Sequence, residues 1–172
     1  MKYFIAIALT LVCYPLFAQR HDNVLPSGGL TVTGAIKKEL IYSIADLAKR
    51  AQDKLGDLVI RNHKGEPKDT VKGLKGILLK TLLDGVEMNV EKPKEYSEFY
   101  ISLIATDGYK NIYSWNELFN TEVGNHIYII TEMDGKSMQQ MEQRILVISL
   151  ADFNTGRRLM KALAKIVFEK AN

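Results

Sequence analysis

The residues able to do chemistry in this chain are few and scattered. The three histidines, His21, His63 and His126, are far apart, and no two stand at the three-to-five-residue spacing that offers paired imidazoles to zinc. Each reads as a solvated or hydrogen-bonded histidine, and no metal ligand set is assigned. The one cysteine, Cys13, lies in an N-terminal apolar run, so the rest of the chain has no thiolate nucleophile and no thiolate ligand. The sequence has no G-x-G-x-x-G, Walker loop, G-x-S-x-G or H-E-x-x-H, and nothing singles out one serine as a nucleophile. Paired carboxylates for glycoside hydrolysis are defined by their distance in space, which the sequence leaves open. Most acids stand where turns and helix caps need them. Lys72, Lys75 and Lys80 read as a solvated face. Arg157-Arg158, following Gly156, can meet an anion near a helix start or form a surface pair at the end of a turn. No catalytic residue is assigned.

Composition bounds what these residues can serve. The 172 residues are 47% hydrophobic and 25% charged, values of an ordinary globular chain. Twenty-three Lys and Arg against 20 Asp and Glu give a net charge of +3, too balanced for a nucleic-acid binder. Residues 1–19, MKYFIAIALTLVCYPLFAQ, have a positive start, a short apolar run and a small residue at Ala18, the pattern of a secretory signal peptide. The run is too short to span a bilayer, which takes about 20 apolar residues. Cleavage after Ala18 would remove 18 residues carrying one Lys, leaving 154 residues with net charge +2. A periplasmic or secreted protein with no transmembrane segment in its mature chain is expected. Lipid anchorage through Cys13 is the weaker alternative, because bulky Val12 precedes it. The new terminus, Gln19-Arg20-His21, could chelate Cu²⁺ or Ni²⁺ through amine, backbone and imidazole nitrogens. Cyclisation of Gln19 would remove that amine.

The elements that must position any site follow from periodicity. Residues 19–29 read as a flexible leader and 30–172 as one domain. Residues 30–36 alternate as a strand with Gly34 as a possible bulge, and a short strand follows toward Tyr42. Ser43 with Asp46 caps a helix whose apolar face is Ile44, Leu47, Ala48, Ala51 and Leu55, stopped by Gly56. Residues 57–62 form a strand, HKGEPKD a polar turn, and Thr70 and Val71 an extended segment. Residues 73–85 hold a short apolar helix ended by Gly85, and 87–98 an exposed loop. FYISLIAT (99–106) is the strongest strand, turning at Asp107-Gly108 into 109–113. Ser114 and Glu117 cap a helix over WNELF. Strands are expected at 126–133 and 144–150, with a turn at Asp134-Gly135. The tail, 154–171, reads either as one amphipathic helix or as a short helical turn followed by a strand over AKIVFEK.

Several of these segments, in order, resemble the oxidoreductase molybdopterin-binding domain, the fold of the central domain of sulfite oxidase. LTVTGAIKKELIYSIADLAK is similar to the family's opening strand and helix, and VKGLKGILLKTLLD to its Gly-x-x-Leu-x-x-Leu-Leu segment. IATDGYKNIYSWNEL is similar to its Asp-Gly-Tyr turn followed by Ser-x-x-Glu-Leu. RILVISLADFNTGRRLMKALAKIVF is similar to its closing strand, arginine turn and final strand. The resemblance spans residues 30–168. It implies an α+β domain with a mixed sheet and short helices. It also implies a pocket near Arg61, Asn62, Asp107 and Tyr109, with Arg157 and Arg158 as anion contacts.

In that family the molybdenum is held by the pterin dithiolene and one protein cysteine. The matching region here, DLVIRNHKGEPKDTVKG, has Ile60, Arg61, Asn62 and His63 but no cysteine. Neither Asn nor Arg replaces the charge and polarizability of a thiolate. The expectation is therefore an exported, non-catalytic binding module that takes a small anionic ligand or a protein partner and holds no cofactor. Molybdopterin enters by resemblance only. The alternatives are a small molybdopterin-dependent oxidoreductase and an accessory subunit of one.

Overall fold

The computed structural model describes residues 24–171. The expected signal peptide, Cys13 and the Gln19-Arg20-His21 terminus lie outside the described residues. The order of elements is β1 (Gly29–Gly34), β2 (Leu40–Ser43), α1 (Ile44–Ala48), β3 (Asp53–Arg61), β4 (Pro67–Leu78), α2 (Leu79–Leu82), β5 (Phe99–Ala105), β6 (Lys110–Ser114), α3 (Trp115–Phe119), β7 (Ile127–Met133), β8 (Lys136–Ser137), β9 (Leu146–Ser149) and β10 (Leu163–Lys170). Short 3-10 turns occupy Pro93–Glu98, Glu122–His126 and Thr155–Arg157. The class is α+β, as expected. Among the described residues no helix is long and apolar enough to cross a membrane.

One sheet has the order β2-β1-β10-β5-β6; the other runs β3-β4-β7-β8, with β9 also paired to β7. β10 lies parallel to β1 and antiparallel to β5, so it sits inside its sheet. This resolves the tail in favour of the turn-then-strand alternative. Ile166 and Phe168, two apart, are buried on one face while Lys165 faces out, and a register irregularity between Leu163 and Lys165 buries Leu163 as well. β5 buries Phe99, Ile101, Leu103 and Ala105 on one face and is paired on both sides. One contiguous apolar cluster draws from both sheets, with Leu30, Ile101, Leu103, Ile166 and Phe168 from the first and Ile77, Ile129 and Val147 from the second.

Two expected helices are shorter than their periodicity suggests. α1 starts where expected: the Ser43 hydroxyl accepts the Asp46 N–H at 3.1 Å, and the Asp46 carboxylate accepts the Ser43 N–H at 3.0 Å. It ends at Ala48, and Asp53–Gly56 belongs to β3, where Lys54 pairs with Lys75 and Gly56 with Leu74. The segment GLKGIL, expected as the start of a helix, is strand. Lys75–Leu78 pairs with β7, and its Lys75 and Gly76 pair with β3 as well. Gly76 permits this: a Cβ there would stand 2.9 Å from the Ile129 carbonyl. The backbone is satisfied by two flanking strands rather than by its own turn, and helical spacing of leucines cannot compete with that. The helix survives only at Leu79–Leu82, before the turn at Gly85.

Candidate functional site

The loop 154–158 is the hinge of the region the sequence singles out. Thr155, itself buried, accepts the backbone N–H of Arg61 at 2.9 Å and donates to the Val59 carbonyl at 3.3 Å. Gly156 packs so tightly on β3 that a Cβ would lie 2.6 Å from the Arg61 carbonyl oxygen. From the other sheet, the Tyr109 hydroxyl donates to the Arg157 carbonyl at 2.7 Å and the buried Asn111 amide to the Arg158 carbonyl at 3.0 Å. The end of β3, the turn after β5 and the arginine loop therefore meet. The loop's backbone, not its side chains, is what the other two segments hold.

Arg158 has three of its five guanidinium N–H donors engaged by carboxylates. Its Nε and Nη2 donate to the two Asp152 carboxylate oxygens at 2.7 Å each, and Nη1 donates to Glu117 Oε1 at 2.9 Å. Ser149 donates a further bond to Asp152 at 2.9 Å. The guanidinium lies 4.7 Å from the centroid of the Tyr113 ring, a cation–π placement. Desolvation works against the charge, but the bonds to Asp152 and Glu117 outweigh it and hold Arg158 above its ordinary value. The Tyr113 hydroxyl is fully buried and has no hydrogen-bond partner among the described residues. Burial pushes its pKa up to about 12, against a smaller lowering by Arg158.

The remaining expected residues are placed as follows. Arg61 donates from Nη1 to the Gly65 carbonyl at 2.9 Å. Asn62 Oδ1 accepts the N–H groups of Lys64 and Glu66, and its amide donates to the Glu66 carboxylate at 2.8 Å, so the side chain closes the β3–β4 hairpin. Asp107 caps its own turn by accepting the Tyr109 N–H at 2.9 Å. Arg157 is exposed and points no donor at another described residue; it lines an open notch of about 380 Å³ with Asp152, Phe153 and Arg158. Phe153 at its edge is 95% exposed. A second notch, of about 300 Å³, has Asp107, Tyr109, Gly156 and Lys161 on its walls.

A more enclosed cavity of about 280 Å³ is lined by none of the six expected residues. Its apolar wall includes Ile60, Val71, Leu74, Ile130, Leu146 and Ile148, all buried. Among the described residues no group of three or more His, Asp and Glu is placed to hold a metal ion.

Sequence reasoning missed Thr155, Asn111, Asp152 and the second role of Glu117. Signals for two of them exist in retrospect. Asn111 takes an inward position in the alternating strand KNIYS, and a buried amide there needs a partner across the strand end. Ser149, the last residue of β9, and Asp152 stand three apart. Glu117 reads as a capping-box acid; the Ser114 hydroxyl does accept the Glu117 N–H at 3.0 Å, but its carboxylate goes to Arg158 instead.

Two sheets with short helices, held together at an arginine loop, define an α+β protein. No family model matches the chain, and no curated protein matches it. Among solved structures it is similar to the sulfane dehydrogenase SoxCD from Paracoccus pantotrophus, with a TM-score of 0.58 at 11% identity. That match covers 81% of this chain and 37% of the other, so this chain spans well under half of that protein. At this identity the likeness establishes the fold alone.

Proposed function

We propose that this chain is an exported binding module on a sulfite-oxidase-like scaffold, without oxygen-atom transfer of its own. The observation that carries the reading is the state of Arg158, which turns three of its five N–H donors, its Nε–Nη2 edge included, to Asp152 and Glu117 rather than to an anion site. The molybdopterin implied by the resemblance does not fit the residues present. A thiolate is lacking in 24–171, Asn62 is spent on its hairpin, and Arg61 turns one donor back to the Gly65 carbonyl. The Nε–Nη2 edge of Arg158, bonded bidentately to Asp152, cannot grip a phosphate without breaking that pair. Export rests on the leader at 1–18, with residues 30–172 as the folded module.

Metal analysis of the full chain from a host that makes the cofactor tests the reading. The expected result is molybdenum far below one per chain and no sulfite or sulfoxide turnover. Near-stoichiometric molybdenum would reverse the conclusion and put the oxidoreductase alternative first.

A further inference from the structure

The 280 Å³ cavity combines an apolar wall with charged residues at its exposed side. Its buried wall is aliphatic, while the polar residues that line it, Lys68, Asp69, Gln143 and Lys161, are at least partly exposed. Neither ammonium has an ion-pair or hydrogen-bond partner among the described residues. The Gln143 side-chain amide is also unengaged; only its backbone carbonyl is bonded, by Ser27. Asp69 is partly occupied, accepting the Thr70 N–H at 2.7 Å. Two free cations and an amide donor against one carboxylate leave the mouth net positive. A buried aliphatic wall with a few donors at one end is the pattern of a small-molecule site.

We propose that this cavity binds a small amphiphile with a single anionic head and an unbranched apolar tail, of the medium-chain monocarboxylate class. Lys68, Lys161 and the Gln143 amide meet the head at the mouth, and Ile60, Leu74, Ile130, Leu146 and Ile148 enclose the tail. Size sets the chain length. At roughly 30 Å³ for each water-sized unit, the cavity takes about nine such units, which suits a tail near eight carbons. The proposal rests on the binding-module reading and names the ligand class of that module.

Calorimetric titration of the full chain with hexanoate, octanoate, octylamine and 1-octanol tests it. Octanoate should bind, and each added methylene from six to eight carbons should tighten binding by up to about fourfold. Octylamine should bind at least about tenfold more weakly than octanoate, and octanol in between. Lys161→Glu should weaken octanoate about tenfold while leaving octanol unchanged. Val71→Phe, or Leu146→Phe if the first variant fails to fold, should fill the cavity and abolish binding of all four. No octanoate binding at about 1 mM, equal binding of octylamine, or undiminished binding by a folded cavity-filling variant each overturns the proposal. Molybdenum is measured on the same preparation. A metal-free protein that ignores octanoate sinks this inference alone, whereas stoichiometric molybdenum sinks the binding-module reading.

Discussion

Asp152→Ala is the perturbation that tests the arginine loop most directly. The substitution removes both 2.7 Å bonds to Arg158 and the 2.9 Å bond from Ser149. Hydrogen bonds to charged groups contribute about 1.5–3 kcal/mol each, and the two to Arg158 belong to one bidentate contact. The Arg158 side chain is 27% exposed and retains Glu117, so water and the second carboxylate recover part of the loss. The expected net cost is about 2–3 kcal/mol, read by urea unfolding at neutral pH. A cycle with Arg158→Met isolates the pair and should give a coupling of at least about 1 kcal/mol. The same variant carries a second readout. With Asp152 gone, two guanidinium donors are released beside the Arg157 notch, so sulfate should stabilise Asp152→Ala more than the parent chain. A coupling below about 0.5 kcal/mol, or equal stabilisation of both proteins by sulfate, would refute the claim that Arg158 is internally satisfied.

Leu103 is fully buried at the centre of β5, so Leu103→Ala should cost about 2–5 kcal/mol in urea unfolding; a change below about 0.5 kcal/mol would remove it from the core. Tyr113→Phe keeps the ring under Arg158 and deletes an unpartnered buried hydroxyl, so stability at pH 7 should hold or rise; a loss above about 1 kcal/mol would reveal a partner. The folded Tyr113 pKa, about 12, lies above the ordinary 10, so the neutral form is favoured in the fold. Its contribution is intact below pH 10 and is lost as the pH climbs toward 12, and Tyr113→Phe should flatten that decline. Terminal sequencing of native protein should begin at Gln19; an intact Met1 on cytosolic material would remove the export reading.

The strands were legible wherever alternation and turn chemistry agreed. FYISLIAT followed by Asp107-Gly108, and HIYIITEM followed by Asp134-Gly135, specify their hairpins locally, and both form. The Asp134-Gly135 turn has positive φ at both residues, which its sequence suits. Where leucines fell at helical spacing beside glycines, in 73–85, the outcome was set by β3 and β7, elements remote in sequence. No local pattern reports such partners. The same limit governs the site. That Arg157-Arg158 would approach β3 and the Asp107-Gly108-Tyr109 turn was legible by resemblance. Which carboxylates reach Arg158 was not, because Asp152 and Glu117 come from a loop and a helix whose meeting is tertiary.

The parallel pairing of β1 with β10 sets the timetable of folding. Thr31 faces Lys165 and Gly34 faces Phe168, so the middle of the first sheet joins segments from opposite ends of the described chain. Without β10, β2-β1 and β5-β6 are two separate hairpins with no ladder between them. The sheet cannot close until residues 163–170 are in place, and closing it means forming one of the longest loops available among the described residues. Pairings of such long range predict slow folding for a chain of this size.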